Sequence, residues 1–209
     1  MELFSDPLIR TIAAPFLGAL LLGVAIRLAG GSVGSGRRIA GAGIGLAFAW
    51  TAAMVFGGGR IGLMGIIADA VLAGGGRVTG VIPEFLDQLQ VSHDGVSELI
   101  KVGSMHARKN TMFRLADAFV ILPGGLGTLD ECLEIITWKQ LRQHSKPIVV
   151  LDVGGYWQGL LALVDDVIAA GFAHPEARQL FTSVTGVEDV FTAVADAPEP
   201  DRIVLDSHL

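Results

Sequence analysis

The sequence has few cysteines, few charged residues and no pattern of metal ligands. Cys132 is its one cysteine among 209 residues, so no disulfide can form within the chain, and such usage fits a reducing compartment. Charged residues make up only 17% of the chain and the net charge is −6, which leaves no basic surface for nucleic acid. The five histidines show no metal-ligand spacing. We therefore expect no disulfide framework, no nucleic-acid partner and no metal.

Long apolar runs are what the sequence has in excess. Hydrophobic residues make up 51% of the chain, the mean hydropathy is +0.57, and most of the excess lies before residue 57. Residues 11–26 and residues 39–56 carry no charge, and each run approaches the length of a membrane span. Two interpretations stay open. Either residues 11–28 form one span that anchors a cytoplasmic protein to the inner face of the membrane, or both runs pack on the sheet as an atypical first βα unit.

From residue 57 onwards, strand-like and helix-like segments alternate. The strand-like runs are residues 78–82, 118–122 and 147–152. Their alternation with helical segments predicts βαβ units, and hence an α/β fold with a Rossmann-like parallel sheet flanked by helices. Residues 84–98 are predicted to form a loop. We assign residues 1–52 to an apolar N-terminal segment, residues 53–197 to the nucleotide-binding catalytic domain, and residues 198–209 to a tail.

A glycine-rich turn follows the second of these runs and leads into a helix. Residues 123–131 read PGGLGTLDE, and the glycines let backbone N–H groups approach a ligand without obstruction by Cβ atoms. Thr128 is placed where an N-cap hydroxyl and the positive end of the helix dipole would meet an anion such as phosphate. Glu131 lies about one turn further on, near whatever the phosphate is attached to. The alternative is a tight turn in which glycine only relieves crowding.

Two further stretches favour the phosphate interpretation. Residues 57–65 form a second glycine-rich turn between a strand-like run and a helix. They match a dinucleotide-binding pattern, but no acidic residue follows at the required distance, so NAD or FAD is not expected. Arg108 and Lys109 lie in the first turns of another helix, where cations oppose the helix dipole. Their placement therefore indicates a negatively charged partner.

Together these motifs resemble the Lonely Guy family of nucleoside 5'-monophosphate phosphoribohydrolases, often labelled lysine decarboxylase-like. The most specific pieces are M-H-x-R-K at residues 105–109 and P-G-G-x-G-T-x-x-E at residues 123–131. The resemblance implies a Rossmann-like, usually dimeric enzyme without a cofactor. Such an enzyme hydrolyses the N-glycosidic bond of a cytokinin riboside 5'-monophosphate or AMP, and it releases the free base and ribose 5-phosphate.

The resemblance also implies roles for individual residues. By motif position, Arg108 and Glu131 are the catalytic pair. The substrate-binding residues are Gly58, Gly59, Gln90, Met105, Lys109, Gly124, Gly125, Gly127, Thr128 and Thr137. Gln90 stands where the family often carries a glutamate, so it can donate or accept a hydrogen bond but cannot act as a base. Glycosidic cleavage builds positive charge at C1', which a carboxylate such as Glu131 can stabilise.

One departure from the family leaves an alternative function open. The family begins with a strand, a polar Cys-Gly-Ser-Ser-like turn and an amphipathic helix, none of which is visible in residues 1–52. The alternative is a non-catalytic nucleotide-binding protein that contacts the membrane through this segment. Decarboxylation is not expected, because a pyridoxal phosphate enzyme needs a Schiff-base lysine with partners for the ring, and nothing marks one here.

Overall fold

The computed structural model describes residues 23–28, 52–89 and 91–198. Its strands are β1 Gly23–Leu28, β2 Ala52–Phe56, β3 Arg77–Pro83, β4 Glu98–Val102, β5 Ala118–Ile121, β6 Ile148–Leu151 and β7 Thr182–Val184. Its α-helices are α1 Leu63–Ala73, α2 Glu84–Asp87, α3 Met105–Leu115, α4 Leu126–Gln140, α5 Gln158–Ala169 and α6 Val190–Ala195. Short 3-10 helices occupy Val153–Gly155, Pro175–Gln179 and Val187–Asp189.

The described strands form one seven-stranded sheet in the order β4-β3-β2-β1-β5-β6-β7. Strands β2, β3 and β4 are parallel to one another, as are β5, β6 and β7. The α/β sheet flanked by helices is therefore confirmed. Strand β1 joins the two parallel groups and runs antiparallel to both β2 and β5. The sequence did not predict this reversal, because an uninterrupted apolar run carries no information about strand direction.

Strand β1 belongs to the stretch for which a membrane span was one of two predictions. In the structure these six residues, which include the last four of the first apolar run, pair within the sheet with β2 and β5. The rest of residues 11–51 lies outside the described residues, and so does the tail from residue 199. Among the described residues, no helix is both long enough and apolar enough to cross a membrane.

The edge of the sheet differs from the sequence-based prediction. The predicted loop at residues 84–98 contains the single-turn helix α2, and it is followed by strand β4, which the sequence analysis did not identify. Among the described strands, β4 pairs with β3 alone. Its exposed charged residues, Glu98 and Lys101, are typical of an edge strand and hide the apolar pattern of a buried one.

The core lies on both faces of the sheet because neighbouring strand residues point to opposite sides. On strand β5, Phe119 packs with residues of α3, α4 and α5, whereas Val120 packs with residues of α1 and α6. Helices therefore cover both faces, which explains why β5 and β6 are apolar throughout. The carboxyl ends of β2, β3, β5 and β6 meet at one edge of the sheet, where ligands bind in open α/β folds. Both glycine-rich turns start from this edge.

Candidate active site

Arg108 is the largest fully buried side chain at this edge, with 0% of its surface exposed. It projects from the first turns of α3, which begins after the N-cap Ser104. Its Nε donates to the Val81 carbonyl at 3.1 Å and its Nη2 donates to the Gly57 carbonyl at 2.9 Å. Burial lowers the pKa of Arg108 to about 10, an effect that the charge of Glu131 opposes. The guanidinium is therefore still charged at neutral pH and is held in one orientation by backbone carbonyls.

The first glycine-rich turn makes room for this guanidinium. A Cβ atom on Gly57 would lie only 1.7 Å from Arg108 Nη2. No side chain fits there while Arg108 keeps its position. Gly58 and Gly59 continue the turn and pair with the segment after residue 90, where the His93 N–H donates to the Gly58 carbonyl at 2.9 Å. The sequence associated this turn with the nucleotide, and in the structure it also fixes the predicted catalytic arginine.

Glu131 lies on α4, close enough to Arg108 that each charge influences the pKa of the other. Only 7% of Glu131 is exposed, and its Oε1 has no hydrogen-bond partner among the described residues. Burial raises the pKa of Glu131 to about 7, although the positive charges of Arg108 and Lys109 oppose the shift. A buried carboxyl oxygen without a partner is costly to the folded protein, and such groups occur where a ligand completes the bonding.

Lys109 is held by two acidic residues that the sequence analysis did not identify. Its Nζ lies 3.1 Å from Asp130 Oδ2 and 3.1 Å from Glu134 Oε2, both on α4. Burial tends to lower the pKa of Lys109, but these hydrogen bonds and charges raise it overall. Lys109 is therefore a protonated lysine, which argues against a Schiff-base role. A 3.6-residue period places Asp130 and Glu134 on one helix face, but only the fold brings that face to Lys109.

The second glycine-rich turn differs from the prediction in one respect. Helix α4 begins at Leu126 with Gly125 as its N-cap, so Thr128 is the third helical residue and the predicted N-cap hydroxyl is wrong. The Thr128 side chain is buried and packs against Gly124, on which a Cβ atom would lie 2.1 Å from Thr128 Oγ1. The helix begins earlier because Gly125, a residue type that is favourable at this position, serves as the N-cap. The amides of Leu126 and Gly127 then lack intrahelical acceptors and are available to an anion.

A tyrosine that the sequence analysis did not consider also reaches this turn. The Tyr156 hydroxyl donates to the Gly124 carbonyl at 2.7 Å. Tyr156 follows strand β6, whose carboxyl end neighbours that of β5 in the parallel sheet. A glycine pair directly after a buried strand, here Gly154 and Gly155, is the signal that could have identified this segment.

Of the other predicted substrate-binding residues, Met105 contacts Arg108 and Thr137 lies further away along α4. Met105 Sδ lies 3.8 Å from Arg108 Nη1, at the start of α3. Thr137 is exposed further along α4, where its hydroxyl donates to the Leu133 carbonyl of the same helix at 2.7 Å. Gln90 lies outside the described residues. In the part of the chain that the structure describes, no group of three or more His, Cys, Asp or Glu side chains could hold a metal ion.

A small cavity of about 30 Å³ adjoins Glu131 between α3, α4 and strand β5. It is lined by Lys109, Met112, Phe113, Phe119, Ile121, Glu131, Glu134, Ile135 and Trp138. Three of these lining residues are charged, namely Lys109, Glu131 and Glu134, and the others are apolar or aromatic. The cavity explains how Glu131 is removed from solvent without being fully enclosed by protein atoms.

Known proteins are similar to this chain over a region that includes Arg108, Glu131 and the second glycine-rich turn. The family model described as "possible lysine decarboxylase" matches residues 64–194. The chain is 53% identical over 130 residues to the probable cytokinin riboside 5'-monophosphate phosphoribohydrolase LOGL9 of Oryza sativa subsp. japonica, covering 62% of this chain and 57% of that protein. It is 44% identical over 151 residues to the cytokinin riboside 5'-monophosphate phosphoribohydrolase LOG1 of Arabidopsis thaliana, covering 72% and 71%. The chain thus spans 57% to 71% of the length of these relatives.

Proposed function

Because the chain belongs to the Lonely Guy family, we propose that it hydrolyses the N-glycosidic bond of a nucleoside 5'-monophosphate. The substrates are AMP or a cytokinin riboside 5'-monophosphate, and the products are the free base and ribose 5-phosphate. The observation that carries the proposal is the buried Glu131 carboxyl group, which has one oxygen without a hydrogen-bond partner among the described residues and is close enough to Arg108 for the two charges to interact. Relatives that carry the phosphoribohydrolase name support the same reaction.

Glu131 acts on the ribose side of the bond that breaks. As that bond lengthens, positive charge develops at C1' and on the ring oxygen. An ionised carboxylate in a buried site stabilises this charge more strongly than it could in water. The same carboxylate orients the attacking water and accepts its proton as the water oxygen bonds to C1'. The departing base takes up a proton from solvent, and Glu131 then returns its proton to solvent. A pKa of about 7 suits both roles, because the group changes protonation state near neutral pH.

Arg108 acts on a negatively charged part of the substrate or on the leaving base. A guanidinium has five N–H donors, and here two of the nitrogens already bond backbone carbonyls. The third nitrogen, Nη1, makes only a weak contact with Met105 Sδ, and we expect its N–H groups to turn to the base as negative charge develops there. Because the two carbonyl bonds hold the side chain before the substrate arrives, little reorganisation is needed during the reaction.

The second glycine-rich turn holds the phosphate in this proposal. The amides at the start of α4 supply N–H donors, and the helix dipole favours a negative charge there. Lys109 lines the nucleotide site from its position between Asp130 and Glu134. A phosphate that approaches Lys109 competes with these two carboxylates. Thr128 supports the turn from behind Gly124.

We also propose that two copies of the chain associate through the outer face of α4. This face exposes Leu126, Leu133 and Leu141, of which Leu126 is 75% exposed. Their spacing of seven and eight residues places them along one side of the helix. Such an exposed apolar stripe is unusual for an isolated monomer. A homodimer in the cytoplasm, where nucleoside monophosphates are available, is therefore the form that we expect to act.

The test of this function is chromatography of the products formed from AMP and from isopentenyladenine riboside 5'-monophosphate. Full-length protein, purified with and without detergent, should release base and ribose 5-phosphate in equal amounts from at least one of them. The ratio of the two rates would identify the preferred base. Binding of both nucleotides without release of base would contradict the proposal and favour a non-catalytic nucleotide-binding protein.

A further inference from the structure

The segment after strand β6 reaches across to the second glycine-rich turn. Tyr156 lies in this segment and donates its hydroxyl to the Gly124 carbonyl, 32 residues earlier in the chain. The residue is 51% exposed, so it stands at the surface of the site rather than in the core. Because half of its surface is exposed, burial in the core does not account for the position of this tyrosine. Its hydrogen bond to the turn is therefore the contact whose role has to be explained.

The path of this segment is set by a buried carboxylate. Asp152 is 1% exposed and accepts a hydrogen bond from the Trp157 N–H at 2.6 Å and another from Gln158 Nε2. Its own N–H donates to the Val184 carbonyl of β7 at 2.7 Å. Gly154 and Gly155 have φ angles of 63° and 78°, which glycine adopts without strain. The chain therefore turns sharply after β6, with both ends of the turn fastened to the sheet.

The ring of Tyr156 is also held in place. It meets the Trp157 ring edge to face, with 4.9 Å between the ring centres and 88° between the planes. Trp157 is itself buried under α5 in the core. This contact fixes the ring and leaves the hydroxyl as the part of Tyr156 that reaches Gly124.

The hydrogen bond to Gly124 determines how the next peptide group is oriented. In a trans peptide the C=O and the following N–H point in opposite directions. When Tyr156 holds the Gly124 carbonyl on one side, the Gly125 N–H points to the other side. Glycine has no Cβ to restrict rotation of this peptide, so the Tyr156 hydrogen bond contributes to fixing its orientation. Thr128 also packs on Gly124 and limits its movement.

We propose that Tyr156 is a positioning residue for the substrate phosphate, and that Asp152 positions Tyr156. The hydroxyl keeps the Gly124–Gly125 peptide in the orientation that directs the Gly125 N–H at a phosphate oxygen, next to the free amides of α4. This inference rests on the proposed function, because it concerns the phosphate end of the same nucleotide site. It adds two residues that neither the family motifs nor the sequence pattern indicated.

The test compares Tyr156→Phe with the parent protein, because this change removes the hydroxyl and keeps the ring contact with Trp157. We expect KM for AMP to rise about fivefold, the effect of one hydrogen bond, while kcat changes less than about twofold. The dissociation constants of ribose 5-phosphate and inorganic phosphate, measured by calorimetry, should rise by the same factor. Ser145→Ala removes an exposed hydroxyl elsewhere and should leave all of these values unchanged.

A second variant distinguishes positioning from a general loss of structure. Asp152→Asn replaces one acceptor oxygen by an NH2 group, which cannot accept the hydrogen bonds that hold the segment after β6. The variant should therefore also weaken ribose 5-phosphate binding. If Asp152 acts through Tyr156, the dissociation constant of ribose 5-phosphate for the double variant should be about equal to that of whichever single variant binds it less tightly. Independent effects that multiply would contradict the proposed order of action.

The outcomes separate this inference from the proposed function. If the parent releases no base but Tyr156→Phe still weakens phosphate binding, the hydrolase proposal fails and the positioning role stands. If the parent is active and Tyr156→Phe binds ribose 5-phosphate and phosphate as the parent does, the positioning role is wrong. A parent protein that binds neither ribose 5-phosphate nor phosphate would overturn the positioning role as well.

Discussion

At the scale of single residues, the Glu131 carboxyl group is divided between protonated and ionised forms near neutral pH, because burial raises its pKa to about 7. The ionised form is the one that balances charge at C1'. We therefore expect kcat/KM for AMP to rise as the pH increases through about 7 and then to level off. Arg108, with a pKa of about 10, stays charged over this interval. A rate profile that is flat or falls across neutral pH would contradict this role.

Gly57 gives a second prediction at the residue scale. An alanine Cβ would lie 1.7 Å from Arg108 Nη2, and the buried guanidinium has no open space into which it can move. We expect Gly57→Ala to lower kcat/KM for AMP at least about tenfold and to destabilise the fold by about 1–3 kcal/mol. Steady-state kinetics and thermal unfolding measure the two effects.

The matched control for Gly57 is Gly159→Ala, because nothing lies within 4 Å of a Cβ atom built at that helical position. This control should keep full activity and an unchanged or slightly higher melting temperature. If Gly57→Ala behaved like Gly159→Ala, the account of how Arg108 is held would be wrong.

At the scale of elements, the sequence predicted what depends on local pattern. The glycine-rich turns, strand β5 and helix α4 follow from apolar runs and glycine placement, and the structure confirms them. Strand β4 was missed because Glu98 and Lys101 interrupt its apolar pattern. The Tyr156 bond to Gly124 could not be predicted, because it joins two turns that only the order of β5 and β6 brings together. The ion pairs of Lys109 depend on the packing of α3 against α4 in the same way.

Helix α4 also carries the prediction about assembly. Leu133→Glu places a charge in the exposed stripe of α4 without disturbing the core, since Leu133 is already exposed. We expect the parent to be a dimer by size-exclusion chromatography with light scattering, and Leu133→Glu to be a folded monomer. Leu163→Glu, which alters an exposed leucine on α5, should remain dimeric. A parent that is monomeric, or a Leu133→Glu variant as dimeric as this control, would contradict the interface.

At the scale of the whole molecule, the motifs were sufficient to identify the family. The M-H-x-R-K and glycine-turn motifs predicted it, and the comparisons over residues 64–194 confirm it. The sequence did not predict the direction of β1, because that strand comes from an apolar run that differs from the family's usual beginning. The predicted boundaries of the domain and the roles of the individual site residues remain predictions.

The measurement that tests the central claim most directly compares Glu131→Gln with Glu176→Gln. Both changes replace a carboxylate by an amide, the first in the buried site and the second on an exposed 3-10 helix. We expect Glu131→Gln to lower the rate of base release from AMP at least about a hundredfold, while ribose 5-phosphate binding changes little and Glu176→Gln matches the parent. Release of base by Glu131→Gln at the parent's rate would contradict the proposed mechanism.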